Sequence, residues 1–279
     1  GACDFHFNQS GGVERMKIAF FDSGMGGLTV LNHALKILPR EEFIFYADED
    51  NVPYGTKSRE DVLKFVDEAF GFLIAQGVGA IVVACNTATS VAVKEMRKKY
   101  SLPIIGMEPA LKVALDLFPN RKVLVTATAI TITGEKIRLL IEKLHAENLA
   151  ELKALPRLVE FAERQEFKSA AVEEYLRGEL ADYDFEKFSS LVLGCTHFNY
   201  FKDTLREILP SHVKILDGNA GTINELIRRT NLNSSKNLIP SPQSLVPKFF
   251  YSGRRVTDSA ELARLGKFLR RLDEMEAVT

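Results

Sequence analysis

Two cysteines stand where acid/base chemistry could be done. Cys85 ends the apolar run AIVVACNT at 80–87 and Cys195 ends SLVLGCTH at 190–197, and small polar residues follow each at once. An apolar run without alternation predicts a strand buried on both faces, and in open α/β sheets ligands collect at the carboxyl ends of such strands. A thiol's ordinary pKa of about 8.5 falls toward neutrality beside a His, a helix N-terminus or a hydrogen-bond donor. Two such thiols could exchange protons on the two sides of one substrate. A lone buried Cys is ordinarily a small hydrophobe. The duplicated context is what argues for chemistry.

Polar residues cluster near both thiols in sequence or at equivalent strand ends. The first strand ends in Asp22-Ser23-Gly24-Met25-Gly26-Gly27 before a helical run. Glycines there let backbone approach a ligand, and N–H groups at a helix start bind carboxylate or phosphate. The pattern lacks the full dinucleotide fingerprint and has no P-loop Lys-Ser/Thr, so a tight turn explains the glycines equally well. Asp22 tips the balance, as a carboxylate placed to contact an ammonium group or orient a thiol. The polar connection Ala47–Ser58 contains Pro53-Tyr54-Gly55, which could give backbone and hydroxyl contacts or form a simple turn. After Cys85, Asn86 or Thr87 could cap a helix. After Cys195 comes Thr196-His197, and His197 could share a proton with the thiol or with a substrate carboxylate. His33, His145 and His212 are expected on helix or loop surfaces, without a role.

The elements that must position these residues alternate strand and helix, which predicts parallel sheets. Strands are expected at Ile18–Asp22, Phe43–Ala47, Ala80–Cys85, Pro103–Gly106, Lys122–Thr126, Ser190–Cys195, Val213–Leu216 and Lys248–Tyr251. The clearest helix spans Ser58–Gln76: Ser58 and Asp61 form a capping pattern, and Val62, Phe65, Val66, Ala69, Phe70, Leu73 and Ile74 repeat at three and four residues. Further helices are expected after Gly27, Thr87, Glu108, Gly134, Lys168, Asn199, Gly218 and Asp258. Asn231–Pro247 reads as a surface loop. The expected fold class is α/β, with two α/β domains of mainly parallel central sheets flanked by helices and the site in the interdomain cleft. Residues 16–106 plus 214–279 would form the first domain, carrying Cys85, and 107–213 the second, carrying Cys195.

Composition narrows the partners. A chain of 279 residues, 46% hydrophobic and 26% charged, has ordinary soluble usage and length for two domains. Residues 1–15, GACDFHFNQSGGVER, lack periodicity before Met16 opens the strand-like MKIAFFD, and they read as a leader outside the fold. With Asp4, Glu14 and Arg15 set aside, acidic and basic residues balance. That argues against a nucleic-acid scaffold or a polybasic membrane surface. No run reaches the length of a membrane span and no signal-peptide pattern precedes Met16, so a cytoplasmic protein is expected. In that compartment a structural disulfide is disfavoured, and no CxxC, HExxH or clustered His/Cys set predicts a metal site.

Taken together, Asp22–Gly27, Pro53-Tyr54-Gly55, Ala84-Cys85-Asn86-Thr87-Ala88 and Leu193-Gly194-Cys195-Thr196-His197 resemble the glutamate racemases of the aspartate/glutamate racemase superfamily. The resemblance runs over essentially all of 16–279. It implies interconversion of L- and D-glutamate without a cofactor, for bacterial peptidoglycan, in a homodimer. One of Cys85 and Cys195 would remove the α-proton as thiolate while the other reprotonates the opposite face as thiol. Cys85 would act on D-glutamate, assisted by Asp22, and Cys195 on L-glutamate, assisted by His197. Glu160, in Pro156-Arg157-Leu158-Val159-Glu160, resembles a family Glu near the second cysteine. Asp22, Ser23, Tyr54, Gly55, Asn86, Thr87, Thr128, Thr131, Thr196 and His197 would bind substrate, although Ile130 departs from the smaller residue commoner between the two threonines. The competing readings are an aspartate or hydantoin racemase with the same cysteine pair, a thiol redox switch and a non-catalytic amino-acid-binding protein.

Overall fold

A computed structural model describes residues 15–107, 109–232 and 246–278. The expected leader, Arg15 apart, lies outside the described residues, as does most of the expected 231–247 loop. Ten strands are present among the described residues: β1 (Lys17–Asp22), β2 (Glu42–Ala47), β3 (Ala80–Val83), β4 (Ile104–Gly106), β5 (Lys122–Ala127), β6 (Ala150–Ala154), β7 (Phe188–Leu193), β8 (Lys214–Asp217), β9 (Lys248–Tyr251) and β10 (Arg254–Arg255). The helices are α1 (Leu28–Ile37), α2 (Arg59–Ala75), α3 (Asn86–Lys99), α4 (Leu111–Leu117), α5 (Ala129–Ile132), α6 (Glu135–Lys143), α7 (Arg157–Glu163), α8 (Ala170–Leu180), α9 (Lys202–Ile208), α10 (Asn219–Thr230) and α11 (Ser259–Glu276). A short 3₁₀ segment, Thr196–Phe201, leads into α9.

The strands form two sheets, in the orders β10-β9-β2-β1-β3-β4 and β6-β5-β7-β8. Every pairing is parallel except the β9–β10 hairpin. The two sheets share a local plan. β1 lies between β2 and β3, and β5 lies between β6 and β7, so strand order reverses at β1 and at β5. Such reversals open a crevice at the carboxyl edge of a parallel sheet. Cys85 follows β3 and Cys195 follows β7, one strand over from each reversal.

Three expectations need correction. β3 and β7 stop at Val83 and Leu193, two residues short of the cysteines. Ala84 N–H still donates to Phe21 O at 2.7 Å and Gly194 N–H to Thr126 O at 2.6 Å, after which the chain leaves the ladder to start a helix. Each thiol therefore stands at a helix N-cap. β8 pairs with β7, so the second sheet reaches Asp217, past the expected boundary at 213. β6, AELKA, and β10, Arg-Arg, were not anticipated: both are edge strands with charged residues and no apolar run to announce them.

α2 matches its pattern. Ser58 Oγ accepts the Asp61 N–H at 3.1 Å, and Val62, Val66, Ala69, Phe70 and Leu73 are buried. One face of β1 (Ile18, Phe20) joins a cluster that continues through Met25, Leu158, Phe198 and Phe201, so the two lobes share apolar packing. The other face (Ala19, Phe21) packs on α2 and α3. Tyr200 OH donates to Met25 O at 2.7 Å across the lobes. The turn after β1 is thus fixed from both sides.

Candidate active site

β1 delivers Asp22, wholly buried, to the turn before α1. Its Oδ2 accepts the Gly27 N–H at 2.6 Å, and its Oδ1 is buried without a hydrogen-bond partner among the described residues. Burial raises this carboxyl to about 6, against the opposing pull of the His197 charge and the Gly27 amide. Gly27 is required by close approach: a Cβ there would lie 2.7 Å from Asp22 Cβ and 2.9 Å from Ala84 Cβ.

Cys85 caps α3 with its own sulfur, accepting the Ala88 N–H at 3.3 Å, and Ser23 Oγ lies 3.6 Å from Sγ. The expected Asn or Thr cap is not what forms, since the cap residue is the thiol itself. Burial and then the Asp22 charge push this thiol well up, only partly opposed by the helix amide and Ser23. On this side the neutral S–H is the stable form.

Cys195 has different company. Its Sγ is 3.8 Å from His197 Nδ1, and His197 Nε2 is 2.5 Å from Glu163 Oε1. Nε2 also lies 3.2 Å from the Gly26 amide, but one nitrogen cannot donate to the carboxylate and accept that N–H together. Burial opposes charge on His197, yet hydrogen bonds to Cys195 and Glu163 outweigh it and raise the imidazole well above its ordinary value. Burial likewise opposes charge on Glu163, but His197, the Met25 amide at 2.8 Å and Arg264 hold its carboxyl below the usual range. The pair is therefore imidazolium and carboxylate. Nε2–H donates to Glu163, which leaves Nδ1–H to donate to the Cys195 sulfur.

Both thiols line one small cavity, of about 40 Å³, between the lobes. Ser23, Tyr54, Gly55, Asn86, Thr87, Thr128, Glu160, Thr196 and His197 also line it. Of the residues expected in the site, only Asp22 and Thr131 are set back, Asp22 behind the Ser23–Gly27 turn and Thr131 behind Thr128. A hydroxyl chain crosses between lobes: Thr87 Oγ1 to Thr128 Oγ1 at 2.9 Å, then Thr128 to Thr131 at 3.0 Å. The Tyr54 hydroxyl donates to Asp48 Oδ2 at 2.6 Å, and Asp48 also receives Asn51 and Ser252, so the phenol's proton is committed to that carboxylate. A larger groove of about 510 Å³ between α3 and α6 touches neither cysteine, so chemistry rather than size marks the site.

Glu160 sits exposed on the cavity rim. The carboxylate that reaches His197 is not the expected Glu160 but Glu163, one turn later on α7. Glu160 and Glu163 share a helix face at i and i+3, so spacing alone could have nominated both. Glu49, Asp48 and Arg264 were missed too. Only folding brings them within reach. Of the other histidines, His145 and His212 are exposed as expected, whereas His33 is half-buried on α1. No group of three or more His, Cys, Asp or Glu that could hold a metal occurs among the described residues.

The chain has two α/β lobes with a thiol at each facing crevice, and the Asp/Glu/Hydantoin racemase model matches its residues 28–226. The chain belongs to that family. It is 54% identical to the glutamate racemase of Campylobacter curvus over 271 residues, 93% of this chain and 98% of that protein. It is 55% identical to the glutamate racemase of Campylobacter concisus over 266 residues, 94% of this chain and all of that one. Among solved structures, Escherichia coli glutamate racemase in complex with L-glutamate and the activator UDP-MurNAc-Ala superposes with a TM-score of 0.75 at 26% identity, covering 94% of this chain and 96% of that one.

Proposed function

We propose that this enzyme interconverts L- and D-glutamate by proton transfer between the α-carbon and two cysteines. The observation that carries the reading is the shared cavity: one thiol beside a buried carboxyl, the other beside an imidazolium. With L-glutamate, the Cys195 thiolate takes the α-hydrogen as a proton and becomes S–H. Cys85 S–H gives its proton to the opposite face of the same carbon and becomes thiolate. With D-glutamate the roles reverse. Asp22 assists Cys85, and His197, held by Glu163, assists Cys195.

The chemical difficulty is the weak acidity of an amino acid's α-carbon. Charge that develops there is spread into the α-carboxylate, where oriented donors stabilise it best with water excluded. Ser23, Asn86, Thr87, Thr128, Thr196 and the amides at the start of α3 are the donors around the cavity. Thr87 and Thr128 belong to opposite lobes, so a carboxylate accepting from both would draw the lobes together. Glu160 at the rim and Thr131 behind Thr128 take supporting positions, and Tyr54 and Gly55 offer backbone.

Glutamate is chosen over aspartate or a hydantoin because the curated relatives that match most of the chain are named for it. The same relatives are bacterial, which supports supply of D-glutamate for peptidoglycan in the cytoplasm. No helix among the described residues is long and apolar enough to cross a membrane. The homodimer is read from family resemblance and is checked by sedimentation. For the reaction, circular dichroism of L-glutamate incubated with the enzyme should decay to zero, with α-deuterium incorporated from heavy water. Unchanged optical activity with glutamate, against decay with aspartate or a hydantoin, would replace the substrate. Binding without α-hydrogen exchange would reduce the protein to an amino-acid binder, and a reversible Cys85–Cys195 disulfide without turnover would make it a redox switch.

A further inference from the structure

Glu163 carries a second contact that the cysteine chemistry does not use. Arg264, on α11, donates to Glu163 Oε2 at 3.2 Å and to Glu49 Oε2 at 2.8 Å. Glu49 follows β2 in one lobe and Glu163 ends α7 in the other. The guanidinium lies 5.7 Å from the ring centres of both Tyr251 and Phe268, within cation–π range of each. All three charged side chains are mostly shielded from water, at 24% exposure for Arg264, 16% for Glu49 and 15% for Glu163.

We propose that Arg264 is a positioning residue: it fixes the Glu163 carboxylate beneath His197 while bridging it to Glu49, whose negative charge opposes that of Glu163. Planar, always charged and able to donate from both terminal nitrogens, Arg suits a bridge between two carboxylates. Oε1 of Glu163 faces His197 and Met25, leaving Oε2 for Arg264, so the carboxylate is pinned at both oxygens. The charged and titratable groups around it are His197, Asp22, Glu49, Arg264 and the phenols of Tyr200 and Tyr251, with Glu261 3.7 Å from the guanidinium. Burial and then repulsion from Glu163 push Glu49 up, while the Arg264 charge helps keep Glu163 ionised. Removing Arg264 should let Glu163 take a proton at higher pH, and removing the Glu49 charge should do the opposite. The inference rests on His197 assisting Cys195.

The test is the pH profile of kcat/KM for glutamate, with the ring-¹⁵N NMR titration of His197 in the free enzyme. Arg264→Met should move the acid limb up by about one pH unit, the size expected for losing one shielded charge partner. Arg264→Lys should return it toward the parent. Glu49→Gln should move it down. An unmoved limb in Arg264→Met, or movement in one direction for both Arg264→Met and Glu49→Gln, overturns the proposal. Should Arg264→Met not fold, Glu49→Gln carries the test alone, and an unmoved or upward-moving limb overturns it. The NMR titration needs no turnover. If the acid-side step of the His197 ring signals, which reports protonation of Glu163, moves up in Arg264→Met and down in Glu49→Gln in a protein that does not racemise glutamate, the proposed function falls and this inference stands; racemisation with an unmoved titration does the reverse.

Discussion

The two sides of the cavity have the same backbone plan and opposite electrostatics. On each, a parallel strand ends, the chain leaves the ladder, and a Cys stands at the start of a helical segment. On the Cys85 side the neighbour is the Asp22 carboxyl, buried with one oxygen unpartnered among the described residues and raised to about 6. On the Cys195 side it is a chain of alternating charge, His197, Glu163, Arg264 and Glu49. Burial penalises charge on both sides, but only the second supplies counter-charges that outweigh it. Under the proposed mechanism the two thiols have opposite tasks, one to give a proton and one to take it. Adjacent glycines are fitted to opposite sides: a Cβ at Gly27 would meet Asp22, whereas one at Gly26 would lie 2.4 Å from His197 Nδ1.

Removing either sulfur should break the comparison most completely. Cys85→Ala and Cys195→Ala should each lower racemisation by about 10³-fold or more, the upper range for a positioned acid/base group. The discriminating readout is α-deuterium exchange: Cys85→Ala should retain exchange with L-glutamate alone, and Cys195→Ala with D-glutamate alone. Near-full turnover in either variant would end the two-cysteine scheme. Next in size is Asp22→Asn, with activity expected to fall by about 100-fold while stability rises. The native carboxyl keeps its proton up to about 6, whereas the unfolded one releases it near 3.8, so the native state binds more protons between those values. Stability therefore falls as pH rises through that window, by on the order of 3 kcal/mol, and the cost is fully present above 6. Urea unfolding should find Asp22→Asn more stable than the parent at pH 8, with the gap closing below pH 4. An equal difference at both pH values would remove the buried charge from the account.

The glycines sharpen the contrast at smaller scale. Gly26→Ala and Gly27→Ala should each destabilise the protein by about 1–3 kcal/mol through overpacking. Gly26→Ala should also displace the His197 ring resonances, and Gly27→Ala should leave them nearly in place; indistinguishable spectra would show that the turn yields as one unit. Smallest is Ser58→Ala, remote from both sides. Loss of the α2 cap should cost about 1 kcal/mol and leave exchange of the two enantiomers equally affected, and a bias toward one would mean that α2 couples to one thiol.

Much of this was legible in the chain because local physics wrote it there. Uninterrupted apolar runs marked the buried strands, the three-and-four repeat with Ser58 marked α2, and strand ends followed by small polar residues marked Cys85, Cys195 and most of the cavity lining. The edge strands β6 and β10 were not legible, because half-exposed segments with charged residues carry no burial pattern. Nor was β8's place in the second sheet, because pairing is a choice between distant partners. Glu160 and Glu163 make the limit clear. Both lie on α7 and both are acidic, but only the packing of α7 against Thr196–Phe201 decides which carboxylate meets His197.

By itself the sequence determined the two thiols, their strand-end settings and the identity of their near neighbours Asn86, Thr87, Thr196 and His197. Tertiary structure alone decided that the thiols share one cavity and that the charged groups around them differ. That difference comes from residues far along the chain, Glu163, Arg264 and Glu49, because electrostatic interaction in a shielded site depends on distance in space and on what water has been removed, neither of which sequence separation encodes.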